Sequence, residues 1–355
     1  MFQRIYRVLA GVKCLRVCQL LIIVISMVCY VSYFFYVSEA MCRDGSPTCC
    51  ATEELQKHIL GDVSANQPTS IVEDILFQVN SDTCKTFPNG DKKIWLLVAV
   101  VSTYEHFRTR NIIRQTWGSA IQDNAPGNVC LVFFVGKQQS NFAHWIQFQN
   151  EIHKYADVTQ INKDDTYLNL VHKSIGILKW THSFVPSVKF ILKIDDDVVL
   201  NLPNLYYRLL MHSYQSKFIM GYVGRGNKPQ RMKTIKNYFP KDYYSGDVIP
   251  NYMYGPSYVI SGDLVLDLLT VIPRIPLLRI EDIFITAISA SYTDAVHVGR
   301  CGFLYTTSEN VDHFQWGTSF VSSHSYQPSE LASIWNYSRI QSHHLSYSAI
   351  FLQQL

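Results

Sequence analysis

The sequence predicts an α/β layer fold, a mostly parallel twisted sheet flanked by helices, preceded by a single transmembrane helix. Three observations predict it. From about residue 93 onward, apolar runs of strand length alternate with segments of helical period, as in a sheet covered on both faces. The strand-like runs are continuously apolar instead of alternating, the mark of strands buried on both sides. Near the start, residues 17–38 ("VCQLLIIVISMVCYVSYFFYVS") carry no charged side chain.

As a helix, residues 17–38 would run about 33 Å, enough for a bilayer core of ~30 Å. Arg4, Arg7, Lys13 and Arg16 precede the segment and Glu39 follows it. That asymmetry keeps residues 1–16 in the cytosol and sends the rest across the membrane. A cleaved signal peptide is the competing reading, and "SEA" at 38–40 resembles a cleavage site. The apolar run, however, exceeds the ~7–15 residues of a signal-peptide core. Either reading makes the body lumenal or extracellular. The formal net charge is +3, and four positive charges lie in the first sixteen residues, so the remainder sums to −1. That balance excludes a basic field suited to nucleic acid. With 355 residues, 48% of them apolar and 17% charged, the chain is globular in character and long enough for one large domain or two small ones.

Nine cysteines are present. Cys14, Cys18 and Cys29 lie in the tail and anchor. The other six can pair in fifteen ways, and spacing does not choose among them. Cys130, inside "VCLVFFVG", also reads as a small buried apolar residue. Cys49 and Cys50, close to the anchor, allow a pairing between chains and hence a homodimer. One glycosylation sequon, Asn336-Tyr337-Ser338, is usable only in the secretory path.

Residues 39–91 are polar and mixed, with turn residues in "DVSANQPTS" and "FPNGD". They read as a stem ahead of a folded body over 92–355. Within that body, "IWLLVAVVS" (94–102) is the first buried strand. "HFRTRNIIRQTWG" follows as a helix, with Ile112, Ile113, Thr116 and Trp117 on its inner face and Gly118 as its stop. "NVCLVFFVG" (128–136) is a second strand, followed by a helical segment from Phe142 to about Tyr155. A helix over 168–184 carries Leu170, Ile177 and Leu178 inward. "KFILKI" (189–194) is a third strand, and it ends at Asp195, Asp196 and Asp197.

Three consecutive carboxylates there need a reason. Two of them ~4 Å apart repel by roughly 4 kcal/mol at an effective dielectric near 20. In open α/β sheets, ligands bind beyond the carboxyl ends of the strands. A hard divalent cation shared between one or two carboxylates and phosphate oxygens would relieve the repulsion. A solvated acidic turn is the alternative, and the apolar runs on both sides weigh against it.

Seven segments in order, "RNIIRQTWG", "VFFVG", "DDTYLNLVHKS", "KIDDDVVLN", "IPNYMYGPSYVIS", "IED" and "SSHSYQPSELASIW", together resemble glycosyltransferase family 31, the β-1,3-galactosyltransferases and β-1,3-N-acetylglucosaminyltransferases. The resemblance spans about Ile94 to Trp335 and implies a GT-A fold, a UDP-sugar donor, a glycan acceptor on protein or lipid, Mn²⁺, and inversion at the anomeric carbon. It also implies a Golgi type II membrane enzyme. By position, Asp195 and Asp197 fall on the metal-holding Asp-x-Asp motif, with Asp196 on the donor side. His324 falls on a further metal ligand, and Asp282 on the general base of a Glu-Asp pair. Arg110, Arg114 and Lys173 fall near the donor nucleotide. Tyr252, Gly255, Ser257, Tyr258 and Glu281 fall on the donor and acceptor loop, and Pro229, Arg231 and Lys236 echo an element ahead of it.

Each assignment has a plainer alternative. Asp282 suits a helix cap; His324 suits a surface or packed histidine; Arg110 and Arg114, four apart, suit a solvated helix face. Trp117, Trp180 and Trp335 read as core, whereas Tyr252, Tyr254 and Tyr258 suit packing and sugar stacking equally. The chain also departs from the family pattern. It has Pro256 and Ser257 in "GPSY" where Gly-x-Gly-Tyr is usual, and Thr286 where a glycine usually follows the Glu-Asp pair. Side chains at bare-backbone positions are expected to narrow the pocket or shift sugar specificity.

Overall fold

The computed structural model describes residues 52–54, 71–84, 94–124, 128–138, 142–299, 302–304, 320–324 and 327–342. The expected tail, the anchor at 17–38 and most of the stem lie outside the described residues, among which no helix is long and apolar enough to cross a membrane. In chain order the elements are β1 (Thr52–Glu54), β2 (Phe77–Val79), β3 (Leu96–Val101), α1 (Phe107–Gln115), α2 (Ser119–Asn124), β4 (Val129–Lys137), α3 (Phe142–Tyr155) and β5 (Val158–Asp164). Then come α4 (Leu170–Phe184), β6 (Phe190–Asp195), β7 (Val199–Leu200), α5 (Leu202–Met211), β8 (Phe218–Gly224), β9 (Tyr252–Ser261) and α6 (Val265–Val271). The short α7 (Glu281–Ile283), β10 (Val296–Gly299), β11 (Phe303–Leu304), β12 (Ser322–Ser323) and α8 (Pro328–Ser342) follow.

The main sheet runs β1-β10-β8-β9-β6-β3-β4-β5-β2. Of its parallel centre, β6-β3-β4-β5, the first three strands are the apolar runs read from the sequence, and β5 ("VTQINKD") is not among them. The sheet as a whole is mixed, not mostly parallel: β9 lies antiparallel between β6 and β8, and β1 and β2 are antiparallel at the two edges. Continuous apolarity reports burial on both faces, not direction. Direction follows from the connection, and β8 reaches β9 through a helix-free excursion over 225–251, so no parallel crossover is imposed.

Alternate residues of β3 enter different cores. Leu97, Ala99 and Val101 pack with Ile177, Leu178 and Trp180 of α4. Leu96, Val98 and Val100 pack with Ile113, Trp117 and Leu205 on the other side. Trp117 and Trp180 are fully buried, as core residues should be, and Trp335 packs half-buried against the second core. The first helix ends at Gln115, and glycine is needed just past it at 118, where a Cβ would sit 2.6 Å from the Ile113 carbonyl oxygen.

The stem boundary moves. Residues 71–84 belong to the folded body: Ile75 is fully buried, β2 pairs with β5, and Cys84 forms a disulfide with Cys130. The segment is too short for its periodicity to stand out between two turn-rich stretches. A second, small sheet, β11-β12-β7, pairs Ser323 of β12 with Val199 of β7. It brings the chain just before His324 alongside the chain just after Asp197.

Candidate active site

The aspartate triplet sits at the carboxyl end of β6, and each carboxylate has a different environment. Asp195 lies on the same strand face as Lys193, two residues earlier, and its Oδ1 accepts from Lys193 Nζ at 2.6 Å. Burial pushes its carboxyl up to about 6 against the pull of that ammonium, with Asp197 adding repulsion. Asp196 points inward, accepting from Ser102 Oγ at 2.7 Å and pairing with His106 Nδ1 at 2.8 Å. That hydrogen bond holds His106 above its ordinary range, against the opposing effect of burial. Asp197 Oδ2 lies 3.1 Å from His324 Nε2, and its Oδ1 is buried with no protein partner. The repulsion expected of three neighbouring carboxylates is thus met by a lysine, a hydroxyl with one histidine, and a second histidine.

Asp282 stands in the first turn of α7, which Ile280, not Asp282, caps. One carboxylate oxygen accepts from the Ile283 amide at 2.9 Å, and the other from the Gly255 amide of β9 at 3.1 Å. Its carboxyl is pushed up to about 7, chiefly by burial and then by the charge of Glu281. Glu281 itself is buried, accepting from Ser174 Oγ at 2.6 Å and Tyr258 Oη at 2.5 Å. Burial and the Glu281 charge push the Tyr258 phenol well up.

Lys193 joins the two acidic arms. It is fully buried in a strand, donates to the Gly255 carbonyl at 2.6 Å as well as to Asp195, and lies 3.6 Å from Glu281. A continuous path therefore runs from Asp282 through Gly255 and Lys193 to Asp195. The sequence motifs do not single out Lys193, although a lysine inside the apolar run "KFILKI" is itself a signal, since lysine is almost never buried unpaired. Tyr167 was also unforeseen. Its phenol is pushed up to about 12 by burial and by the charges of Asp282, Glu281 and Asp195. Its hydroxyl donates to Asn237 at 2.7 Å, and the Lys236 ammonium sits 3.6 Å from its ring centre. Arg231 donates to the Phe239 and Gly246 carbonyls and so folds the same excursion.

Arg110 and Arg114, expected near the donor nucleotide or on a solvated helix face, are instead both buried and bonded to protein. Arg110 is fully buried and spends all five donors on protein: Glu151 twice (2.8 and 2.5 Å), Ser102 Oγ (3.2 Å), the Tyr104 carbonyl (3.1 Å) and the Thr103 carbonyl. Arg114 forks onto Asp157 with two 2.8 Å bonds and reaches Glu151 at 2.9 Å. Lys173 is likewise occupied, by the Ser102 carbonyl at 2.7 Å and by Asp165. Arg110 and Lys173 hold the turn at 102–104, which Asp196 also supports, and Arg114 backs Arg110 through the shared Glu151, so all three act beneath the site. Four-residue spacing did not distinguish this from a solvated face, because the partner carboxylates come from distant segments.

The segment expected as a donor and acceptor loop is instead strand β9, ahead of Asp282; in it Tyr252 and Tyr258 are buried, and Asn227 Nδ2 donates to the hydroxyls of Tyr252 (2.9 Å) and Tyr254 (3.0 Å). Ser257 Oγ meets Ser322 Oγ at 2.6 Å. Thr286 is fully buried between α7 and β9, so it does not narrow a pocket as expected. Asn336 is exposed on α8.

Among the described residues, no three His, Cys, Asp or Glu side chains converge into a metal cluster of their own. The pair Asp197 and His324, with one orphaned carboxylate oxygen, nevertheless fits a cation that takes its remaining ligands from phosphate and water.

A galactosyltransferase family model matches residues 108–299, from α1 through β10, including Asp195–Asp197 and Asp282. The chain belongs to the galactosyltransferase family. Mouse beta-1,3-galactosyltransferase 2 is 29% identical over 273 residues, covering 73% of this chain and 62% of that protein. Human N-acetyllactosaminide beta-1,3-N-acetylglucosaminyltransferase 2 is 31% identical over 265 residues, 72% of this chain and 64% of its own length. The family member described here thus spans under two thirds of these relatives. Among solved structures, S. aureus TarS 1-349 is similar at 12% identity and a TM-score of 0.35, covering 74% of this chain and 75% of that one, too distant to add to the fold above. His324 and α8 lie beyond the family match; the small sheet carries the chain to His324, and α8 packs against α1 with Leu331 in the core.

Proposed function

We propose that the protein is an inverting, metal-dependent hexosyltransferase of GT-A fold that moves galactose or N-acetylhexosamine from a UDP-sugar to the 3-hydroxyl of a glycan acceptor, forming a β-1,3 linkage. Its proposed setting is the Golgi lumen, behind a type II anchor. The observation that carries the reading is Asp282: a carboxylate held in place by the Gly255 amide, with its carboxyl pushed up to about 7, linked through Gly255 and Lys193 to the aspartate triplet. A carboxylate of that strength suits general-base work near neutral pH.

In this reading Asp282 accepts the proton of the acceptor hydroxyl as that oxygen attacks the anomeric carbon from the face opposite the nucleotide. One displacement needs one base, and no second nucleophilic carboxylate is called for, unlike retaining glycoside hydrolysis. Asp197 and His324 would hold a divalent cation, Mn²⁺ by resemblance, which when bound neutralises charge developing on the departing diphosphate. Asp195 stays oriented by Lys193. Asp196, Arg110, Lys173 and the 102–104 turn keep the donor side of the site in shape. Tyr167, close enough to feel the Asp282 charge and held by Asn237 and Lys236, would border the site in this reading.

The test is UDP release by the full-length, detergent-solubilised protein with Mn²⁺, a panel of UDP-sugars, and mixed glycan acceptors. Release with one donor that rises sharply on adding acceptor is expected. Mn²⁺-dependent UDP binding without release under any combination would favour a glycan-binding or scaffold role on the same fold.

A further inference from the structure

Resting on that reading, we infer that Ser257 and Thr286 are positioning residues: their hydroxyls brace the β9 bulge that holds Asp282, so that the strand leading to His324, the bulge and the base move as one piece. β9 pairs with β8 at Tyr258↔Gly221 and again at Met253↔Val223, leaving residues 254–257 to bulge opposite the single residue Tyr222. The bulge carries Gly255, whose amide donates to Asp282 and whose carbonyl accepts from Lys193.

Both flanks of the bulge are tied by side-chain hydroxyls. Before it, Thr286 Oγ1 accepts from the Met253 amide at 2.9 Å and donates to the Asp282 carbonyl at 2.6 Å. One buried hydroxyl therefore joins the strand to the backbone of the base itself. After it, Ser257 Oγ meets Ser322 Oγ at 2.6 Å, two residues ahead of His324. All three side chains are buried, Thr286 and Ser322 fully so, where a low local dielectric strengthens these bonds. Thr286 sits within a π-helical stretch, Phe284–Ser289, and its carbonyl meets His297 Nε2 at 2.6 Å, which fixes the other side of the same residue. A glycine at 257 or 286 makes neither side-chain bond. The two departures from the family pattern are thus mechanical parts of this chain's site.

The test compares Thr286→Val, Thr286→Ser and Ser257→Ala with the wild-type full-length chain. Valine keeps the shape of threonine but removes its hydroxyl, and serine keeps the hydroxyl. Thr286→Val is expected to lower kcat about tenfold, since small misplacement of a reacting group is enough for that, with donor KM within about twofold. Its acid limb in kcat/KM should move to higher pH, because a loosened Gly255 amide stabilises the Asp282 carboxylate less. Hydrogen exchange at the Met253 amide should quicken. Thr286→Ser should restore most of the kcat and the slow exchange, and Ser257→Ala should lower kcat with Met253 exchange unchanged.

Full kcat in Thr286→Val despite faster Met253 exchange would overturn the positioning role. Unchanged Met253 exchange would overturn the brace itself. If Thr286→Val does not fold, Thr286→Ser and Ser257→Ala decide: loss of kcat in the serine variant, or none in Ser257→Ala, counts against the inference. A wild-type chain that transfers no sugar would instead overturn the proposed function and with it the base-positioning role, while the brace would stand or fall on Met253 exchange.

Discussion

Replacing Arg110 by methionine should destabilise the fold far more than it weakens donor binding. The guanidinium is fully buried, with two bonds to Glu151 at 2.8 and 2.5 Å and three to the turn at 102–104. Methionine fills much of the volume but leaves Glu151 with Arg114 alone at 2.9 Å, and leaves the Thr103 and Tyr104 carbonyls without this donor. Breaking a buried pair from one side costs roughly 3–5 kcal/mol. For a domain of this size each kcal/mol moves the midpoint by about 2–4 °C, so Tm should fall by roughly 6–20 °C. Arg110→Lys keeps the charge but not the planar fork, and should recover only part of the loss. Thermal unfolding reads the stability, and UDP titration well below the lowered midpoint reads the donor site. An unchanged Tm with collapsed UDP affinity would refute the reasoning and return Arg110 to the nucleotide.

Three further outcomes follow from the same geometry. Because Asp282 must be ionised to accept a proton and its carboxyl lies at about 7, kcat/KM should fall about tenfold per pH unit below 7 and level off above it, as a pH-rate profile will show. Glu281→Gln removes the like charge that helps raise Asp282, so the acid limb should move to lower pH; an unmoved limb would assign it to another group. Asp197→Ala and His324→Ala should each weaken Mn²⁺-dependent UDP binding while leaving the metal-free affinity unchanged, measurable by titration calorimetry; equal losses with and without Mn²⁺ would remove both from the metal site.

Three strands of the parallel centre, β3, β4 and β6, were legible because they are continuous apolar runs, whereas β5 ("VTQINKD") is not one and was missed; the aspartate triplet was legible because such a run leads straight into it. The sheet edges were not. β1 and β2 are three residues each, and β9 runs antiparallel for reasons that lie in the 225–251 excursion. Asp282, Asp195 and Asp197 were found by motif, and their environments only by the fold. Nothing local in "RNIIR" tells a nucleotide-contacting arginine from one forked onto Glu151, forty-one residues away in sequence. Lys193 was readable as a cation within an apolar strand. Its bond to Gly255, sixty-two residues on, was not. Thr286 read as an obstruction because only the tertiary structure shows its hydroxyl turned toward Met253 and Asp282 instead of open space.

The central claim is that Asp282 is the base that activates the acceptor, and Asp282→Asn tests it most directly. Asparagine keeps the size and can still accept from the Gly255 amide, but it cannot take a proton. Measured side by side, Mn²⁺-dependent UDP affinity should stay within about twofold of wild type while acceptor-dependent turnover falls ~10²-fold or more. Turnover close to wild type, or donor binding lost together with activity, would contradict the account.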